Sequence, residues 1–155
     1  LEPIGQTAAG QQIALGGFSG LAFEGIDPAT GHYKFITHTD RGPNGEPTGL
    51  LRPFLLPGFS PEVVRFELNR DSGAIVITQR LPLKRADGVT PITGLPNLKV
   101  LAGTANTPHN DEIGVDLFGN PTPLDPFGGD FEGIVVDPAD GSFWMCDEYR
   151  PALYH

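Results

Sequence analysis

The chain has 155 residues, enough for one domain with a core of its own, and its 21 glycines and 16 prolines leave few windows in which a helix could form. Ten Lys and Arg against 19 Asp and Glu give a formal charge of −9, which excludes a phosphate-backbone binder built on clustered basic residues, so no nucleic-acid partner is expected, and an anionic membrane surface is disfavoured. With 39% hydrophobic and 19% charged residues the composition is that of a folded protein, no apolar run is long enough to span a membrane, and the single cysteine, Cys146, rules out an intrachain disulfide framework.

Taken in order, the chain shows no clear strand before Gln12-Ile13-Ala14-Leu15, which reads as an edge or closing strand, and Leu1-Glu2-Pro3 shows no signal peptide. Phe18 to Phe23 and Tyr33 to Thr39 form a first strand pair around Asp27-Pro28-Ala29-Thr30-Gly31. The segment 42–61, with Pro43, Pro47, Pro53, Pro57 and Pro61, is too rich in proline for a central strand. In Glu62 to Leu68 the apolar Val64, Phe66 and Leu68 alternate with Arg65 and Glu67, the pattern of a half-buried strand. It pairs with Ala74 to Leu81 around Asn69-Arg70-Asp71-Ser72-Gly73, a longer turn with one left-handed residue, and the hairpin reads as the polar, outer part of a sheet. From Pro82 to Gly129 the chain is mostly loop, with a short strand expected at Leu98 to Leu101 and a charged cluster at His109-Asn110-Asp111-Glu112.

The most informative stretch is Gly129 to Tyr149. Ile134-Val135-Val136 is an apolar strand stopped at Asp137-Pro138, since proline cannot donate to a ladder. After a turn, Phe143 and Met145 alternate with Trp144 and Cys146, so both faces are apolar and the strand is expected to be buried on both sides, with Trp144 in the core and Cys146 an inert thiol. Asp130 and Glu132 stand where the first strand begins, and Asp147-Glu148 where the second ends.

This unit has occurred once before. Gly20 matches Gly133, Asp27-Pro28-Ala29 matches Asp137-Pro138-Ala139, Gly31 matches Gly141 and Pro43 matches Pro151. A repeated strand-turn-strand unit ending in charge is the signature of radially repeated sheets, so the fold class is all-β, a partial β-propeller of two to three blades with long Gly/Pro-rich loops.

Asp130, Glu132, Asp147 and Glu148 offer the hard oxygens that Ca²⁺ takes, six to eight at a time, although a turn cap or a solvated acid accounts for any one of them equally well. Asp147 and Glu148 are adjacent, so in a strand they point to opposite faces and cannot both enter one channel. Arg41 beside Asp40 suits either bidentate contact with phosphate or a structural salt bridge. Asp40, Arg41 and Glu132 are the catalytic candidates. His38 and Asp40 share a strand face at a spacing usable for a metal, and Ser19 lacks the glycine two positions on that a G-x-S-x-G nucleophile elbow requires.

These residues carry a resemblance. Ser19-Gly20-Leu21, Asp40-Arg41-Gly42, Leu81-Pro82-Leu83-Lys84, Gly94-Leu95-Pro96-Asn97-Leu98, Asp130-Phe131-Glu132-Gly133-Ile134 and Phe143 to Pro151 together resemble the bacterial secreted proteins called "esterase-like activity of phytase". The resemblance implies a calcium-dependent β-propeller, periplasmic or extracellular, acting on phosphate esters, and it raises Glu112 as a further site residue. The resulting reading is a Ca²⁺-dependent phosphoesterase that needs no protein nucleophile. A non-catalytic propeller with structural calcium that binds a protein or glycan, and a lactonase-like propeller, stand as alternatives. Members of the family are longer than 155 residues, so residues 1–155 are expected to be the N-terminal part of one propeller, completed by the remainder of its polypeptide as a second chain or by a homodimer.

Overall fold

The computed structural model describes residues 2–98, 112–150 and 152–155, and among these every regular element is a strand. The central sheet is antiparallel and four-stranded, in the order β3 (Phe18–Ile26), β4 (Tyr33–Thr39), β6 (Glu62–Leu68) and β7 (Ile75–Pro82). A second antiparallel sheet is built from β9 (Phe131–Val136), β10 (Phe143–Asp147) and β11 (Ala152–Tyr154), with β10 in the middle. Two small sheets complete the fold: β1 (Pro3–Gln6) with β2 (Gln12–Ala14), and β5 (Leu51–Pro53) parallel to β8 (Ile113–Val115). Among the described residues, none of these four sheets closes on itself.

Alternation decides where the core sits. On the four-stranded sheet Ala22, Ile36, Val63 and Leu81 lie across from one another or nearly so, and on the second sheet Phe131, Ile134, Val136, Phe143, Met145 and Tyr154 converge. These two faces meet to form the main core, with Ile92 and Leu83 from the connecting segment filling in. The sheets meet face to face, and β9 runs against β3 so that the first strands of both sheets are neighbours.

The expected strand pairs appear, and the polar hairpin is β6–β7, outermost from β3. Three short strands, β1, β5 and β8, lie where sequence patterning indicated loop. The strand expected at Leu98 to Leu101 falls outside the described residues beyond Leu98, which is itself in a bend. The expectation of a doubly buried β10 is corrected. Met145 and Asp147 are buried, but Trp144 is 43% exposed and stacks on the His155 ring at 4.3 Å, and Cys146 is exposed rather than an inert core thiol. Only one side of this sheet has a partner sheet among the described residues, so the apolar alternation of β10 meets core on one face and solvent on the other.

Candidate functional site

The exits of β4 and β10 and the entrance of β9 come together at one end of the two sheets. Asp130, just before β9, is buried, and its backbone N–H donates to Asp147 Oδ1 at 3.0 Å while its carbonyl accepts from the Glu148 N–H at 2.8 Å. These bonds tie the start of β9 to the end of β10. Asp147 Oδ1 also accepts from the Tyr149 N–H at 3.1 Å, so its carboxylate works as a turn cap between the strands.

The end of β10 then sorts the acids, Asp147 as its last residue and Glu148 in the turn that follows. Asp147 is buried against this backbone, whereas Glu148 is exposed and joins Asp130 and the exposed Glu132 in a group whose ligand oxygens all lie within 4.8 Å of one another. Of the four proposed metal ligands, the structure therefore brings three together and leaves Asp147 behind them as a support. Carboxylate oxygens that close together could share one metal ion, with hard oxygen donors as the ligands.

Arg41 borders the trio and is itself largely enclosed. Its Nε lies 3.3 Å from Asp130 Oδ2, its backbone N–H donates to Asp130 Oδ1 at 3.3 Å, and its Nη1 donates to Glu112 Oε2 at 2.6 Å. The guanidinium also sits 5.9 Å from the ring centroids of Phe54 and Tyr149. Arg52 holds the other oxygen of Glu112 through Nη2 at 2.6 Å and Nε at 2.7 Å. Of the two roles that sequence left open for Arg41, the geometry is that of an ion pair, its fork engaged by carboxylates. Tyr149 closes this layer by donating its hydroxyl to the Gly94 carbonyl at 2.8 Å, and Gly94 has no room for a side chain because a Cβ would fall 1.7 Å from the Arg41 carbonyl oxygen.

Electrostatics mark the same place. Burial pushes the Asp130 carboxyl up to about 7, with Asp40 and Glu148 adding to the rise and Arg41 opposing it. Asp40, whose Oδ1 accepts from the Gly42 N–H at 2.8 Å, is raised by burial as well, and so is Asp147. The Arg41 guanidinium is held firmly protonated: burial opposes its charge, but Asp130 and Glu112 outweigh it. More negative than positive charge converges here, an arrangement that a cation would relieve.

His38 is placed differently from the metal reading it shared with Asp40. Fully buried, its Nε2 accepts from the Gly133 N–H at 3.1 Å and its Nδ1 lies 3.0 Å from the Thr39 carbonyl, which fixes the proton on Nδ1 and leaves neither nitrogen free for an ion. Ser19 is exposed on β3 beside an apolar groove. Of the charged loop cluster, Glu112 is the described member, and His109, Asn110 and Asp111 lie outside the described residues. Arg52, Phe54 and Tyr149 escaped the sequence reading. Charge and aromatic character were visible at each, but nothing local signals that they surround Arg41.

Comparison with curated proteins gives no match, and neither does comparison with solved structures. The sequence profile described as "Phytase-like: Esterase-like activity of phytase" matches residues 13–155, nearly the whole chain, and includes every residue of the site just described. The protein belongs to the Phytase-like family.

Proposed function

We propose that the protein is a Ca²⁺-dependent phosphoesterase whose site is the carboxylate trio of Asp130, Glu132 and Glu148. The observation that carries this reading is the trio itself: three carboxylates close enough to share one ion, two of them open to solvent, beside a buried arginine. Three protein oxygens fill only part of the six to eight positions Ca²⁺ takes, so positions remain for water and a phosphate oxygen. When bound, such an ion neutralises phosphate charge and activates water for attack, which lets so acidic a protein accept an anionic substrate. Asp130 supplies the buried anchor and Glu132 and Glu148 the open sides. Asp147 holds the Asp130 backbone, while Arg41, gripped by Glu112, orients the Asp130 carboxylate from behind, and Asp40 adds negative charge at the rim. A shallow site of this kind suits the high calcium outside the cytoplasm, in keeping with a periplasmic or extracellular protein.

The same proposal extends to architecture. The two larger sheets pack face to face with their first strands adjacent, as neighbouring blades of a propeller do, and each has a second, exposed apolar face suited to another blade. Those blades would come from more of the same polypeptide or from a second copy of this chain.

The test is phosphate release from p-nitrophenyl phosphate and from phytate, with and without EGTA, alongside the melting temperature across a calcium series. Calcium-dependent release with a rising melting temperature is expected. A melting temperature that rises without any release would replace catalysis by a structural ion, release of product from a lactone alone would point to a lactonase, and no calcium effect of either kind would overturn the reading.

A further inference from the structure

The Glu132–Gly133 peptide lies where β9 and β10 fall out of step. Phe131 pairs with Asp147 and Ile134 with Met145, so two residues of β9 stand against the single Cys146 of β10, a β-bulge with Gly133 at a φ of 105°. Both polar groups of that peptide are taken by side chains. The Gly133 N–H donates to the buried Nε2 of His38, and the Glu132 carbonyl accepts from Cys146 Sγ at 3.1 Å. His38 cannot swing away, because its Nδ1–H is held by the Thr39 carbonyl and it has no exposed surface. Gly20 of β3 completes the fit: a Cβ there would stand 2.6 Å from His38 Nε2 and 2.9 Å from the Ile134 backbone nitrogen.

From this geometry we infer that His38 and Cys146 are positioning residues for Glu132. Two grips on one peptide plane set the backbone angle that follows the Glu132 Cα, and with it the direction in which the Glu132 side chain leaves the strand. That direction brings its carboxylate to Asp130 and Glu148. The bulge would otherwise be the most pliable part of β9, since a residue without a ladder partner is held only by what grips its peptide. The inference rests on the proposed cation site and assigns two residues that touch no ligand the task of completing it. Their effect on cation affinity is that of partners one shell out, on the order of 10- to 100-fold.

Calcium affinity is measured by calorimetry for the parent protein and for His38→Ala, His38→Gln, Cys146→Ala, Cys146→Ser and Glu132→Gln, each with its melting temperature in chelator. His38→Ala is expected to weaken Ca²⁺ binding about tenfold or more. His38→Gln, whose amide oxygen still accepts from Gly133, is expected to keep most of the affinity even if it melts earlier, a separation that a merely structural role would not give. If Glu132→Gln weakens binding while His38→Ala binds like the parent, the inference falls and the cation site stands. If the parent binds no calcium, both fall. Should His38→Ala fail to fold, the pair at Cys146 decides: affinity lost in Ala and kept in Ser supports the grip, and parental affinity in both overturns it.

Discussion

Asp130 shows how burial and charge act on one carboxyl. Its ion pair with Arg41 would by itself hold it low, yet burial and the neighbouring Asp40 and Glu148 dominate and bring it to about 7. In the unfolded chain an aspartate releases its proton near pH 4. Between there and about pH 7 the metal-free folded protein therefore retains a proton that the unfolded chain has lost, so this group favours folding at low pH and its contribution disappears as pH rises through that window. Asp40 and Asp147 shift in the same direction. In chelator, the stability of the parent relative to Asp130→Asn is expected to fall between pH 5 and pH 8, read as urea midpoints; a relative rise would contradict the burial argument. Sequence pointed to these acids because they stand at strand ends, but the strand alternation that would part Asp147 from Glu148 does not apply as read, since β10 stops at Asp147 and Glu148 lies in the turn that follows. The partners of Arg41 were not legible in the same way, because Glu112 and Asp130 are far along the chain and only the folded sheets bring them to it.

The turns repeat more faithfully than the strands. In each of three hairpins the N–H of an Asp or Asn donates to the carbonyl five residues on, and a Gly four residues on donates back: Asp27 with His32 and Gly31, Asn69 with Ala74 and Gly73, Asp137 with Ser142 and Gly141. The three glycines have φ of 72°, 72° and 76°. The first and third turns were visible as a DPA repeat. The second, spelled with Asn69 and Arg70, is the same turn in different residues, because the backbone asks only for a side-chain acceptor first and a left-handed residue fifth. Phe23-Glu24-Gly25-Ile26 also reappears as Phe131-Glu132-Gly133-Ile134, each with its glycine at a bulge, but two residues farther from the turn in the second copy. The shift changes what the motif packs against: Phe131 and Ile134 are buried in the core, whereas Phe23 and Ile26 are each 57% exposed. Strands β1, β5 and β8 lacked any such signature, being three or four residues long, and β5 pairs in parallel with a strand about sixty positions away. Glycines here divide by cause. Gly73→Ala meets open space and is expected to cost about 1 kcal/mol for its left-handed backbone alone. Gly20→Ala, which drives a Cβ into His38 and the β9 backbone, is expected to cost about 3 kcal/mol, the upper part of the range for overpacking. Equal urea midpoints for the two variants would refute the close approach of β3 to β9.

The main core of the molecule is one interface between two sheets, and each of these sheets has a second face on which no other sheet packs among the described residues. On the four-stranded sheet that face holds Phe18, Leu21, Val64, Phe66, Ile75 and Ile77 around an open groove of about 450 Å³, with Leu21 62% exposed. On the other sheet Val135, Trp144 and Leu153 stand out at 66%, 43% and 72% exposure. Scattered apolar residues are normal on a surface, but continuous apolar faces on both outer sides are of the kind suited to packing against another protein surface. The two faces are also of matching kind. Each is the back of a sheet whose front already buries apolar side chains against its neighbour, so the outer face of one sheet can meet the outer face of the other in a second molecule, head to tail. The chain on its own is thus expected to associate as its concentration rises, with a sedimentation coefficient that increases across a dilution series. Leu21→Glu combined with Val135→Glu places a charge on each face without touching the core and is expected to return the protein to a monomer, with its unfolding free energy changed by less than about 1 kcal/mol because neither side chain is buried. A parent protein that sediments as a monomer at every concentration, with no second polypeptide bound, would show that these faces rest in water.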